Sequence, residues 1–127
     1  MTKRLLLIDD DSGARRIIQL SLEAAAGWQV LTAASGPAGM AIAVAELPDA
    51  ILLDVMMPEL DGPATYQKLQ AHPKTQTIPV IMLTAKAGPG EQQSLLDLGI
   101  SGIITKPFKV PALIAEIRRL LNWSIEI

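Results

Sequence analysis

Four short aliphatic runs in this chain each break off at a polar residue. Leu5-Leu6-Leu7-Ile8 runs into Asp9-Asp10-Asp11, and Ala50-Ile51-Leu52-Leu53 runs into Asp54. Val80-Ile81-Met82-Leu83 ends in Thr84, and Ile103-Ile104-Thr105 ends in Lys106. A strand buried on both faces reads as a continuous apolar run, because neither face needs polar side chains. Such strands belong to parallel sheets, in which each strand is joined to the next by a helical crossover.

The rest of the chain supplies those crossovers. Strands are expected at 3–8, 28–33, 50–54, 79–83 and 102–105, with helices near 12–26, 36–46, 63–72, 90–98 and 110–122. In the last helix Val110, Leu113, Ile114, Ile117 and Leu121 follow the helical period, while Arg118 and Arg119 fall off the stripe. Pro63 and Pro111 suit the first turn of a helix, and Gly27 and Gly99 stand where helices should stop. Pro79 is tolerable as the first residue of a strand but not inside one. The expected architecture is one three-layer α/β domain over residues 1–127, with helices on both faces of a five-stranded parallel sheet.

Composition narrows the function classes. No cysteine is present, which removes disulfides, thiolate chemistry and Cys-ligated zinc. The net charge is -2 and no Lys/Arg run exceeds two residues, so direct nucleic-acid binding lacks its usual electrostatic support. No apolar stretch approaches the length of a membrane span. The apolar segment after Lys3-Arg4 ends in three aspartates, too soon for a signal peptide, and a cytoplasmic location is expected.

Open parallel sheets bind ligands beyond the carboxyl ends of their strands. Asp9, Asp10, Asp54, Thr84 and Lys106 all map to that edge. Two carboxylates about 4 Å apart repel by roughly 4 kcal/mol at an effective dielectric of ~20, so the cluster calls for a cation. Lys106 can supply one charge, and a hard divalent ion, Mg²⁺ or Mn²⁺, suits the oxygen ligands better than zinc. Magnesium commonly shares its shell with phosphate, which points to phosphoryl chemistry. Aspartate is a suitable acceptor because it is already ionised at neutral pH. The charge on an incoming phosphoryl group would be met by a metal, an ammonium, a hydroxyl and backbone N–H groups.

Along its whole length the chain resembles response-regulator receiver domains. The resemblance rests on Leu7-Ile8-Asp9-Asp10-Asp11-Ser12, on Leu53-Asp54-Val55-Met56-Met57-Pro58 with Asp61-Gly62, on Pro79 through Ala85, and on Lys106-Pro107-Phe108. It implies a flavodoxin-like sheet of order 2-1-3-4-5; the chemotaxis member of the family is itself a standard example of that order. It implies phosphorylation of Asp54 by a histidine kinase or phosphotransfer protein, and output through a downstream protein effector. By the same match Asp10 and Asp54 would bind Mg²⁺ directly, Asp9 through water, and Met56 by its backbone carbonyl. Thr84, Lys106 and the amides of Val55 and Ala85 would contact phosphoryl oxygens, and the Lys106-Pro107 peptide would be cis. No output domain is expected, and no enzymatic activity beyond the domain's own phosphorylation and dephosphorylation.

Several residues invite plainer readings. Asp11 and Asp61 fit helix starts, through side-chain capping and the helix dipole. His72 reads as a solvated histidine at a helix end rather than a phosphoryl carrier. Met56 and Met57 read as packing or rim residues, and Lys86 as either a site neighbour or a solvated charge. Trp28 and Trp123 fall away from the polar edge, which argues against a stacked flavin. The chain departs from the family at Ile103, where an aromatic or histidine usually precedes the lysine by three residues. Gly88-Pro89-Gly90 is also unusual, and Ser101-Gly102 lacks the acidic pair of the dimerising subgroup, so a monomer or weak dimer is expected. The rival functions are a Mg²⁺-dependent phosphohydrolase, which turnover of a generic phosphoester would reveal, and a pseudo-receiver that takes no phosphate.

Overall fold

A computed structural model describes residues 2–85 and 88–124. Strands and helices alternate along the chain. They are β1 (Arg4–Ile8), α1 (Ser12–Ala26), β2 (Gln29–Ala33), α2 (Gly36–Glu46), β3 (Ala50–Asp54), α3 (Gly62–Ala71), β4 (Val80–Thr84), α4 (Pro89–Leu96), β5 (Gly102–Thr105) and α5 (Val110–Leu121). All strand pairs are parallel, in the order β2-β1-β3-β4-β5. Lys86 lies outside the described residues. Among the described residues no helix is long and apolar enough to cross a membrane.

The unbroken aliphatic runs sort themselves by the two-residue period of a strand. Leu5, Leu7, Leu52, Ile81, Leu83 and Ile104 join Ile18 and Leu22 of α1 and Leu113, Ile114 and Ile117 of α5 on one face. Leu6, Ile8, Ile51, Leu53, Val80 and Met82 join Ala43 of α2 and Tyr66 and Leu69 of α3 on the other. Every residue of β3 and β4 is buried, Asp54 and Thr84 included. Full burial of one Leu or Ile side chain is worth roughly 1.5–3 kcal/mol, so these two central strands anchor the domain. The few aromatics are no handicap, because the two cores are filled almost wholly by aliphatic side chains.

Boundaries moved where backbone hydrogen bonding decided them. β4 begins at Val80 rather than 79, since Pro79 has no N–H and contributes only its carbonyl, to Ile51 N at 3.0 Å. It extends through Thr84, which pairs with Thr105. α3 begins at Gly62, capped by the Asp61 carboxylate on Ala64 N at 2.9 Å. A Cβ at Gly62 would lie 2.7 Å from the Asp54 carbonyl oxygen, so only glycine lets α3 start so close to the end of β3. α4 is the short helix of the set: it ends at Leu96, buries none of its residues and has Gly88 without a side-chain cap at its start.

The edge opposite the strand ends carries the two tryptophans. Trp28 precedes β2 and Trp123 follows α5, and their rings meet edge-on with centroids 5.2 Å apart. Lys3 Nζ lies 5.2 Å from the Trp123 ring and the Arg118 guanidinium 5.5 Å from that of Trp28. His72 is half-buried at the end of α3, where its Nδ1 accepts from Lys74 N at 3.1 Å. It is therefore a turn-forming residue rather than a freely solvated one.

Candidate functional site

The carboxyl ends of β1, β3, β4 and β5 bring the expected polar groups together. Asp9 follows β1 and is fully buried, while Asp54 closes β3 at 7% exposure. Lys106 follows β5, and its Nζ stands 3.5 Å from Asp9 Oδ2 and 3.5 Å from Asp54 Oδ2. Asp10 is exposed, yet carboxylate oxygens of Asp9, Asp10 and Asp54 all lie within 4.8 Å of one another. Thr84 is buried at the end of β4, and its carbonyl accepts from Lys106 N at 2.8 Å. The Lys106-Pro107 peptide is cis. Ala85 is exposed immediately beyond Thr84.

The backbone amides divide differently from expectation. Val55 N–H donates to Leu83 O at 3.0 Å, continuing the β3–β4 ladder by one residue, so it is not directed at the acceptor. The next amide takes that place: Met56 N–H donates to Asp54 Oδ1 at 3.3 Å. This arrangement has a simple cause. Strand pairing outlasts the last residue assigned to β3, and the chain turns toward the carboxylate only at Met56, whose side chain is 60% exposed. Met57, by contrast, is 8% exposed and packs into the core.

Burial raises the Asp54 pKa above its ordinary 3.8, opposed by the Lys106 charge. The Asp9 charge raises it further, and the Met56 N–H and Lys106 hydrogen bonds lower it. With three carboxylates and one ammonium ionised, the site holds a surplus of negative charge.

The turn from β1 into α1 is held at several points. Asp9 N–H donates to Ala33 O at 3.1 Å, and Asp9 Oδ1 accepts from Asp11 N at 2.9 Å. The Asp9 carbonyl accepts from Arg15 Nη1 at 2.7 Å. Asp11 caps α1, its Oδ1 accepting from Gly13 N at 3.0 Å and Ala14 N at 3.1 Å. Sequence reasoning assigned Asp11 that role but gave none to Arg15. No local signal separates Arg15 from its exposed neighbour Arg16, because its partner lies six residues upstream across a turn.

The donor set suits a hard divalent cation. Asp9 Oδ2 is buried and accepts no hydrogen bond among the described residues, having only the ion pair with Lys106. A buried carboxylate oxygen without a hydrogen bond is costly unless a cation meets it. Oxygen ligands in partial supply, open to water at Asp10, match magnesium's habit of keeping several waters.

The model of the response regulator receiver domain family matches residues 5–118. The chain is 39% identical over its full length to the response regulator PleD of Caulobacter vibrioides, of which it covers 28%. It is 40% identical over 94% of its length to the transcriptional regulator RpaA of Synechocystis, of which it covers 49%. It therefore spans no more than about half of either relative. Among solved structures, the chemotaxis protein CheY4 of Vibrio cholerae superposes with a TM-score of 0.88 at 28% identity, over 94% of this chain and 99% of that one. The receiver domain of the sensor histidine kinase PA1611 from Pseudomonas aeruginosa, with magnesium coordinated in its active-site cleft, gives 0.85 at 29%, over 96% and 99%. This chain belongs to the response regulator receiver domain family, the phosphoacceptor module of two-component signalling.

Proposed function

We propose that Asp54 is the phosphoacceptor and that a histidine kinase or phosphotransfer protein is the donor. One Asp54 carboxylate oxygen attacks phosphorus, the P–N bond of a phosphohistidine breaks, and the imidazole departs with the bonding pair. The nucleophile is an anion at neutral pH, so the step needs no general base. Lys106 Nζ, poised 3.5 Å from Asp54 Oδ2, carries this reading furthest. It already faces the space where phosphoryl oxygens would gather charge. The Thr84 hydroxyl and the amides of Met56 and Ala85 complete the set of donors.

Asp10 and Asp54, with Asp9 through water and the Met56 carbonyl, would hold Mg²⁺, and Mn²⁺ would fit the same oxygen ligands. When bound, the ion supplies charge neutralisation between the carboxylates and the phosphoryl oxygens. Phosphorylation adds about 1.5 to 2 negative charges to the site. The domain then acts as a regulator, and its altered surface is read by a protein effector. Ile103 is half-buried and packs against the same aliphatic core as Leu95 and Leu98, so coupling to the α4–β5–α5 face would run through aliphatic packing instead of a rotating ring.

The test is intact mass after incubation with Mg²⁺ and acetyl phosphate. The wild type should gain one phosphoryl group and Asp54→Ala none. Equal labelling of the variant would place the acceptor elsewhere.

A further inference from the structure

We propose that Arg15 is a positioning residue that sets the β1–α1 turn and, through it, the carboxylates of Asp9 and Asp10. The inference rests on the reading of Asp9, Asp10 and Asp54 as a magnesium cradle. It starts from the polar atoms of Asp9. The N–H is taken by Ala33 O, Oδ1 by Asp11 N and the carbonyl by Arg15 Nη1, each at 3.1 Å or less. Only Oδ2 is left without a hydrogen bond, and it is the atom that faces Lys106 and the cluster. Three fixed points thus determine where the fourth polar atom points.

Of those three, the Arg15 bond is the one not given by the fold. The Asp9 N–H extends the β1–β2 ladder, whose last paired residues are Ile8 and Ala33, and the Asp11 N–H belongs to the turn itself. The Asp9 carbonyl lies past the ladder and within the bend. It is reached by a half-buried guanidinium from the second turn of α1. A hydrogen bond from a charged donor is roughly twice as strong as one between neutral groups, enough to hold one turn geometry against its alternatives. The turn needs such a hold, because it places Asp9, Asp10 and Asp11 in sequence and their charges favour opening it. Asp10 has no side-chain tether of its own among the described hydrogen bonds, so its place beside Asp54 follows from its neighbours being fixed.

Charge and position pull in opposite directions here, which makes the proposal decidable. A nearby guanidinium repels an incoming divalent cation, so if Arg15 acts only through its charge, removing it tightens Mg²⁺ binding. If it positions the carboxylates, removal weakens binding despite the lost repulsion. Partners that orient metal ligands typically contribute 10- to 100-fold in metal affinity. The exposed Arg16 beside it is the internal control.

Mg²⁺ binding to the full chain is measured by titration calorimetry for the wild type, Arg15→Met, Arg15→Gln, Arg15→Lys and Arg16→Met. Arg15→Met should weaken binding about ten-fold. Arg15→Gln and Arg15→Lys, which can still donate to the carbonyl, should recover part of the loss. Arg16→Met should bind as the wild type does. In metal-free protein, Arg15→Met should also move the NMR amide resonances of Asp10 and Asp11, with the resonances of β4 and β5 unmoved as evidence of intact folding. Unchanged or tighter Mg²⁺ binding by Arg15→Met, or unmoved turn amides, would overturn the proposal. A wild type that takes up no Mg²⁺ would overturn the cradle on which it rests, whereas failure of Asp54 alone would appear in the mass experiment and leave this titration intact.

Discussion

Replacing Asp54 with asparagine should stabilise the metal-free domain at neutral pH and should remove most of its stabilisation by Mg²⁺. The ionised Asp54 carboxylate meets Asp9 within 4.8 Å, a repulsion of about 3.5 kcal/mol at an effective dielectric of ~20. Lys106 at 3.5 Å returns about 4.7 kcal/mol on the same basis. The terms with Asp9 and Lys106 nearly offset each other and the repulsion from the exposed Asp10 is weakened by water, so the few kcal/mol lost in burying the charge decide the sign, leaving on the order of 1 to 2 kcal/mol against the ion. The raised pKa of Asp54, caused first by burial, agrees. A carboxyl whose folded-state pKa lies above its unfolded value of 3.8 contributes stability below that value and loses it as pH rises through the folded pKa. Asparagine has no charge to desolvate and can keep the bond from Met56 N–H. With an unfolding entropy of ~2.1 cal/mol/K per residue over 127 residues, a gain of 1 to 2 kcal/mol raises Tm by about 4 to 8 °C. The assay is thermal melting with chelator at pH 7, and the advantage of the variant should close as pH falls toward 3.8. Adding Mg²⁺ at a hundred times its Kd should stabilise the wild type by about 2.7 kcal/mol and reverse the order. An asparagine variant that melts below the wild type in chelator would refute the reasoning.

Other perturbations separate structure from chemistry. Asp11→Ala should cost about 1 kcal/mol in urea unfolding by removing the α1 cap, while Asp54 still labels; loss of labelling at equal folding would put Asp11 in the site. Gly62→Ala should cost about 1–3 kcal/mol, because its Cβ would meet backbone at Asp54 and Val55, and should slow phosphorylation along with it. A melting curve and a labelling rate both like the wild type would show that α3 can retreat. A phosphoryl mimic bound with Mg²⁺ should shift amide resonances around Ile103 and Leu95; an unchanged α4–β5–α5 face would remove that face as the output.

The layers of the fold were legible because β1, β3 and β4 carry unbroken aliphatic runs that only a doubly covered parallel strand accommodates. Their polar end residues were legible for the same reason, since a strand's direction sends Asp9, Asp54, Thr84 and Lys106 to one edge together. Capping was legible at Asp11 and Asp61, where the bond is local. What escaped depended on where the pairing stops. Whether Val55 or Met56 turns its amide to Asp54 is decided by one further ladder bond to Leu83, and nothing in Val55-Met56-Met57 encodes it. Arg15 escaped because its partner is a backbone atom, and backbone atoms leave no mark in a sequence.

The tryptophan pair at the far edge has a practical meaning for all of these measurements. Both of the chain's indoles sit in one edge-on contact between the start of β2 and the end of α5, flanked by Lys3 and Arg118. Their emission follows the docking of α5 on the sheet, so it will collapse when the domain melts. The charge added or removed at Asp54 lies at the opposite end of the strands. The molecule's intrinsic fluorophores thus sit where they register unfolding, at the end of the sheet away from Asp54, so the melting of wild type and Asp54 variants can be followed with one signal.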